Sequence, residues 1–362
     1  MTGASFTYEL TAEKQEILLG LMANGNYRKR EVPYSLFSIE GESFNATLYE
    51  KEKHGTRKLC VQGRGAKEFV EFVLEPHGVV PLADVSGAAE SEMTPHGGSD
   101  ESGKGDYFGP LVVACAYVDA EIAEKVKTFR YQGADGRSLP LPVMDCKAYT
   151  ATKTLSADQK ILMADERLRT LLGPRRYVIV KRSPANYNRK YGRLKNVNAL
   201  LAQAHAEGIE SFLDKNPTIG RIIVDQFAPT QWTINRALGE FGRRIEIDQH
   251  HKAESDLAVA IASVLARAEF IRDMDALARK IFGVDAEGRA KESMPMGSSD
   301  PRVRLVAEAM IRKLGPVSIM NFCKAHFRTT DQVLAACGLD RTALPEEGRV
   351  VSASHLSTSQ QP

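Results

Sequence analysis

Chemistry-bearing residues are densest in GGSDESGKGDYFGP, residues 97–110. Two adjacent carboxylates, Asp100 and Glu101, precede Gly103-Lys104-Gly105 and an aromatic pair. Gly98-x-x-x-x-Gly103-Lys104 fits seven positions of a phosphate-cradling GxxxxGK(S/T) loop. The eighth should be a hydroxyl for magnesium and is Gly105. Carboxylates inside such a loop would also repel phosphate, so a nucleotide loop is set aside. Metal chemistry fits better, because hard divalent cations take oxygen ligands, and magnesium is held by one or two carboxylates with phosphates and water. A solvated Gly-rich turn is the plain alternative.

Neighbouring side chains on a strand face opposite ways, so Asp100 and Glu101 are not expected to share one ion unaided. Distant carboxylates are needed. Asp225 follows the apolar run RIIV, where a buried strand would deliver it to a sheet edge; a strand-end turn is the alternative. Glu254 lies in HHKAESDLAVAIASVLAR, ahead of a helix whose Ala and Ser suit close packing on a sheet. An acid favoured by the helix dipole is the plainer reading there. Asp256, two residues on, is not separated from it by spacing. Four carboxylates could hold two cations about 3.5–4 Å apart, stabilising the attacking and leaving oxygens of a phosphodiester displacement.

A second feature points to nucleic acid. From Arg167 to Ala206 there is no Asp or Glu, while Arg175, Arg176, Lys181, Arg182, Arg189, Lys190, Arg193 and Lys195 interleave with Tyr177, Tyr187 and Tyr191. Cations neutralise phosphates and aromatics stack on bases or sugars. An ordinary solvated face is the alternative. Lys147, in Asp145-Cys146-Lys147, could contact a phosphate or orient a carboxylate, or simply face solvent. His250-His251 lacks metal-ligand spacing, and Trp232 reads as core.

The elements that must position these residues follow from periodicity. Residues 11–23 have helical spacing, with Thr11 as N-cap. YSLFSIE, FNATLYE and RKLCVQG read as strands and AKEFVEFVLE as a helix, giving a small unit over residues 1–80. Residues 81–96 have linker composition. Beyond them, LVVACAYV, YVIVKR and RIIVDQF read as strands, alternating with helices over 156–172, 197–214 and 253–280 and a helix pair over 301–327. That alternation implies a sheet covered by helices. Residues 97–335 form the second domain, and 336–362 are polar and expected to be a disordered tail.

Composition narrows the class. The chain has 362 residues, 48 Lys+Arg against 46 Asp+Glu, and net charge +2, so any basic surface is local. No run approaches a membrane span, and the N-terminus lacks signal-peptide features. Five scattered cysteines without a CxxC pair argue against disulfides and zinc. A cytoplasmic monomer, with no membrane and no small-molecule cofactor, is expected.

These segments together resemble bacterial ribonuclease HIII, in the type 2 ribonuclease H group. GSDESGKGDYFGPLVVACAYV is similar to the family's opening catalytic segment, MDCKAYT to its Asp-Ser-Lys motif, VDQFA to the third carboxylate motif and KAESDLAVAIASVLAR to the fourth. NVNALLAQAH and KAHFRTT also resemble family segments. ATLYEKEKHGTRKLCVQGRGAKEFVEFVLEP resembles the N-terminal domain, which is similar to the TATA-binding protein fold. The resemblance implies an α/β protein with a ribonuclease H-like mixed sheet flanked by helices, preceded by a small α+β TBP-like domain that binds substrate. It implies cleavage of the RNA strand of RNA–DNA hybrids, leaving 3′-hydroxyl and 5′-phosphate ends, with Mg2+ or Mn2+, two ions per site. Carried over by motif, Asp100, Glu101, Asp225 and Glu254 are the catalytic and metal-binding carboxylates, and the motif favours Glu254 over Asp256. Gly103-Lys104-Gly105 would read the 2′-hydroxyl through the backbone. Ser102, Lys147 and Lys252 complete the expected substrate contacts. Cys146 stands where the family has Ser, and Met296 where it commonly has Lys, so a hydroxyl bond and a phosphate contact are expected to be lost. Excision at single ribonucleotides in duplex DNA, and a non-catalytic hybrid-binding protein, are the rival functions.

Overall fold

The computed structural model describes residues 4–24, 28–41, 44–53, 55–63, 66–70, 74, 79, 94–133, 136–152, 154–225, 232–250 and 253–351. Two units divide the chain, residues 1–91 and 92–362.

The first unit opens on a strand the periodicity reading passed over. β1 (Ala4–Thr11) runs directly into α1 (Ala12–Asn24). Four strands follow, β2 (Arg28–Lys29), β3 (Ser35–Glu40), β4 (Phe44–Lys53) and β5 (Thr56–Gly63), then α2 (Ala66–Phe69); the rest of the helix expected over AKEFVEFVLE lies outside the described residues apart from Val70 and Leu74. They form one antiparallel sheet in the order β1-β5-β4-β3-β2. Alternation sorts the faces. Leu10, Ile39, Ala46, Leu48, Leu59 and Val61 pack on Leu18 and Met22 of α1 and Phe69 of α2. On the opposite face the Ser38 and Thr47 hydroxyls bond at 2.8 Å.

The expected linker, 81–96, lies outside the described residues except for its last three, and His96 already begins β6 (His96–Ser102). β6 pairs antiparallel with β7 (Leu111–Val118). Next come α3 (Ala120–Lys127), a small ribbon of β8 (Arg130–Gln132) and β9 (Ser138–Pro140), and α4 (Ala157–Leu172). β10 (Tyr177–Arg182) joins β7 antiparallel, followed by α5 (Pro184–Leu194) and α6 (Val197–Lys215). β11 (Arg221–Asp225) lies parallel to β6 and to β12 (Glu246–His250), with α7 (Trp232–Ala237) between. α8 (Leu257–Phe282), α9 (Pro301–Leu314) and α10 (Arg328–Ala336) complete the elements.

The resulting mixed sheet has the order β10-β7-β6-β11-β12. One face carries a core with α4 and α8, the other a core with α6. β6 is central, and the C-terminal ends of β6, β10 and β11 open on the same sheet edge. The Ala- and Ser-rich start of α8 lies so close that a Cβ on Gly98 would meet the Ala258 carbonyl carbon and Val259 nitrogen at 2.2 Å. Side-chain caps start the major helices, including a Ser156–Gln159 capping box on α4 and Asp256 on α8. No helix among the described residues is long and apolar enough to cross a membrane.

Two expectations are corrected. The polar tail folds through Val351. Arg341 donates to the carbonyls of Ala325, Phe327 and Gly348 and pairs with Asp331, while Leu344 is buried in the core. A single guanidinium satisfying several backbone oxygens holds a segment whose composition reads as disordered; residues 352–362 lie outside the described ones. Two of the three tyrosines of the basic stretch are not a stacking surface either. Tyr187 and Tyr191 are buried and stack on each other and on His326. Arg169 pairs with buried Asp165, Lys181 with Glu269 and Asp273, and Arg182 with Glu207. Arg189, Arg193 and Lys195 stay exposed on or just after α5.

Candidate active site

β6 delivers Asp100 and Glu101 to the sheet edge where it ends. Gly98, on the Asp100 side, abuts α8; Gly97, on the Glu101 side, abuts Phe212 of α6. The two carboxylates therefore leave the strand on opposite faces, as alternation requires. At the strand end both nonetheless line one cavity of about 550 Å³ with Asp225 from the end of β11. Ser102, Gly103, Lys104, Gly105 and Lys147 line it too. The structure thus brings together eight of the ten residues singled out in the sequence. Glu254 has its backbone in a 3-10 turn, Ala253–Ser255, just before α8, and its side chain is outside the description. Lys252 and His251 lie outside the described residues, as do the side chains of His250 and Trp232.

Asp256 is accounted for differently. Its Oδ1 accepts the Ala258 and Val259 amides, and its Oδ2 lies 2.9 Å from His96 Nε2. Both oxygens are occupied in capping α8 and tying it to β6.

The cavity is an electrostatically expensive place for charge. Burial pushes the Asp100 carboxyl well above the usual range, and Glu101 and Asp225 push the same way. The nearby Ser263 hydroxyl and the Glu101 amide, which donates to Oδ1 at 2.7 Å, oppose this without cancelling it. Burial also works against ionised Glu101, but the His205 hydrogen bond and charge, with Lys104 and Lys147, hold it below the usual range. Among the described residues, no three or more His, Cys, Asp or Glu side chains are gathered tightly enough to hold a metal ion by themselves. The donors are all oxygen, the set that suits a hard cation.

Behind Glu101 stands His205 of α6, fully buried. Its Nε2 is 3.2 Å from Glu101 Oε2 and its Nδ1 is 2.8 Å from Ser99 Oγ. Ser99 Oγ also lies 3.1 Å from the Ala114 carbonyl oxygen, so the ring is held at both nitrogens between two residues of β6.

The loop after β6 is bolted down. Gly103 has φ +88°, and a Cβ there would meet the Pro110 carbonyl oxygen at 2.2 Å, whereas one on Gly105 would meet open space. Lys324, fully buried, donates to the carbonyls of Asp106 and Gly109 at 2.8 Å and of Phe108 at 3.4 Å. Burial pulls its ammonium down to about 7. The Met296 segment contributes through its backbone. Gly297 N donates to Asp106 Oδ1 at 2.6 Å and Gly297 O accepts from Tyr107 N, while the Met296 side chain packs against the core. The loop carrying Cys146 is stitched to α8 by Ser263, which accepts the Cys146 amide and donates to Asp145 Oδ1, both at 3.2 Å. Burial pushes the Cys146 thiol up to about 11, keeping it neutral. The Lys147 side chain stands largely exposed on the rim, 4.0 Å from Asp145.

His205, Ser263, Arg267 and Lys324 are the residues the sequence reading did not single out. Arg267 reaches the cavity from α8 and pairs with Asp158 at 3.6 Å. His205 and Lys324 lie in NVNALLAQAH and KAHFRTT, so segment resemblance carried the only signal.

A mixed five-stranded sheet covered by helices, with acids clustered at the end of its central strand, defines a ribonuclease H-like protein. Residues 97–330 match the sequence profile of the family described as Ribonuclease HII. Curated relatives named Ribonuclease HIII align over most of both chains. The protein of Protochlamydia amoebophila is 35% identical, covering 84% of this chain and 88% of its own, and that of Chlamydia pneumoniae is 30% identical, covering 91% and 97%. The chain belongs to the ribonuclease HII family and, within it, to the ribonucleases HIII. The fold is also that of a crystal structure titled Bst-RNase HIII in complex with Mn2+, with TM-score 0.56, 22% identity, and coverage of 92% of this chain and 99% of that one.

Proposed function

We propose that this chain is an endoribonuclease that hydrolyses the RNA strand of RNA–DNA hybrids at the cavity between β6 and β11. The observation that carries the reading is the meeting of Asp100, Glu101 and Asp225 with the Gly103–Gly105 backbone in one cavity. Glu254 is the fourth carboxylate. The donor set suits Mg2+ or Mn2+, and a pair of such ions, when bound, would activate water and support the departing 3′ oxygen.

The chain's own residues supply the rest. Burial, with Glu101 and Asp225 beside it, destabilises the ionised form of Asp100, and this favours uptake of a cation together with a phosphate. Asp100 and Glu101 are paired with β7 and directly follow Gly97–Ser99, which is paired with both β7 and β11, so their backbone spacing is fixed. The open space at Gly105 lets backbone approach a sugar closely enough to test for a 2′-hydroxyl. Lys104 and Lys147 offset the phosphate charge at the rim. Residues 1–80, joined through 81–96, hold the hybrid and raise its effective concentration at the catalytic unit.

The test is cleavage of end-labelled strands in two duplexes, a long RNA–DNA hybrid and DNA with one embedded ribonucleotide, with Mg2+ or Mn2+. Metal-dependent cutting of the hybrid, giving 3′-hydroxyl and 5′-phosphate ends, is expected. Efficient cutting at the single ribonucleotide would move the function to excision, and binding without cutting to a hybrid-binding protein. Asp225→Asn should abolish cleavage and preserve binding; an active variant would remove Asp225 from the site.

A further inference from the structure

Glu101 has three side-chain torsions, and an exposed glutamate would sample many positions of its carboxylate. Here it does not stand alone. Its Oε2 faces His205 Nε2 at 3.2 Å, and its Oε1 lies 3.8 Å from Lys104 Nζ, which lines the cavity. His205 is itself held at the other ring nitrogen by Ser99, two residues before Glu101 on the same face of β6. Ser99 is anchored in turn on the Ala114 carbonyl of β7, at 3.1 Å. The chain of bonds therefore starts and ends on β6 and passes through one buried ring on α6.

We infer that His205 is a positioning residue for the cleavage reaction: it occupies one oxygen of Glu101 and turns the other, Oε1, toward the cavity. The inference rests on the carboxylate reading given above. Glu101 then offers a cation one oxygen in a fixed direction instead of two in a mobile one. The Ser99 bond fixes the ring plane, and the helix fixes the ring's position. A residue that orients a metal ligand from behind is worth about 10–100-fold in metal affinity or activity.

The imidazole can be divided. Asparagine at 205 keeps an amide near the Nδ1 position, facing Ser99, and loses the contact that reaches Glu101. Glutamine places its amide near the Nε2 position and restores the bond to Glu101. The experiment titrates the full-length protein with Mn2+ by calorimetry and follows thermal melting in parallel, for wild type, His205→Asn, His205→Gln and Glu101→Gln. His205→Asn is expected to bind Mn2+ about 10–100-fold more weakly, His205→Gln to recover most of that loss, and the two to melt alike. Hybrid KM measured at saturating Mn2+ should be unchanged in both. Wild-type Mn2+ affinity in His205→Asn, with Glu101→Gln impaired, would overturn the inference and leave the carboxylate reading standing. Losses that follow melting temperature equally in both His205 variants would reduce His205 to a packing residue. Unimpaired binding by Glu101→Gln would instead remove the carboxylate reading itself.

Discussion

Gly98→Ala tests how the site is built, because the substituted atom touches no catalytic group. An added Cβ would stand 2.2 Å from the Ala258 carbonyl carbon and the Val259 nitrogen, and 2.6 Å from the Ala258 oxygen. Ordinary contact starts at 3.4 Å, so the elements must part by 3.4 − 2.2, or about 1.2 Å. No rotamer change relieves this, since the obstacles are backbone atoms in the first turn of α8. β6 has no room to retreat, being paired through Gly98 with Ala116 of β7 and with Ile223 of β11. The helix start must move, and the turn carrying Glu254 with it. Overpacking of this kind costs about 1–3 kcal/mol, and a misplacement of about 1 Å costs about 100-fold in rate. The assay pairs thermal melting with hybrid cleavage at saturating metal. A melting point lower by several degrees and a kcat down about 100-fold, with little change in KM, are expected. Gly105→Ala is the control: its Cβ meets nothing within 4 Å, so melting should hold. Wild-type melting and kcat in Gly98→Ala would refute the claim that direct backbone contact between β6 and α8 sets the site.

Three further outcomes follow from the same structure. Asp256→Ala removes the cap of α8 and its tie to His96, and should lower stability by about 1 kcal/mol while cleavage survives; complete loss of cleavage with the fold intact would return Asp256 to the metal site. Lys324 holds its proton only up to about pH 7 when folded, against 10.5 ordinarily, so folding releases a proton between those values. The unfolded chain binds more protons there, and wild-type stability should rise with pH relative to Lys324→Met from pH 7 to 10; parallel denaturation curves would show that the ammonium keeps its charge. Removing residues 1–80 should raise KM for hybrid far more than it lowers kcat, and an unchanged affinity would mean that the first unit does not hold substrate.

The architecture was largely legible because its strongest signals are local. LVVACAYV, YVIV and IIV are uninterrupted apolar runs, and each lies in a strand of the second sheet. The carboxylate segment was legible as chemistry, but its geometry was not. Alternation separates Asp100 from Glu101 along a strand, yet where the strand ends both reach the same cavity. Long-range pairing was invisible. Nothing local distinguishes a tyrosine that stacks on a base from Tyr187, which stacks on His326 at a separation of over a hundred residues. Nor does composition reveal that Arg341 will find backbone carbonyls to satisfy. Lys324 is the extreme case, since a lysine's charge argues against burial even between Cys323 and Ala325. Asp256 and Glu254 were separable in sequence only by resemblance; the capping bonds give a structural account of Asp256 alone.

The C-terminal clamp has a consequence for the order in which the protein can be made. Every strand of the catalytic sheet lies before residue 251, whereas the groups that lock the loop after β6, Phe322 to Lys324, and the Arg341 bonds that hold that segment in place, come much later in the chain. Synthesis runs from the N-terminus, and domains fold as units while it proceeds. The first unit can close while the second is still being extended. The sheet can assemble next, with its acids already at the edge, but the loop beside them stays unfastened until the last helices have emerged. A growing chain thus has Asp100, Glu101 and Asp225 at the sheet edge before the loop beside them is fixed in shape.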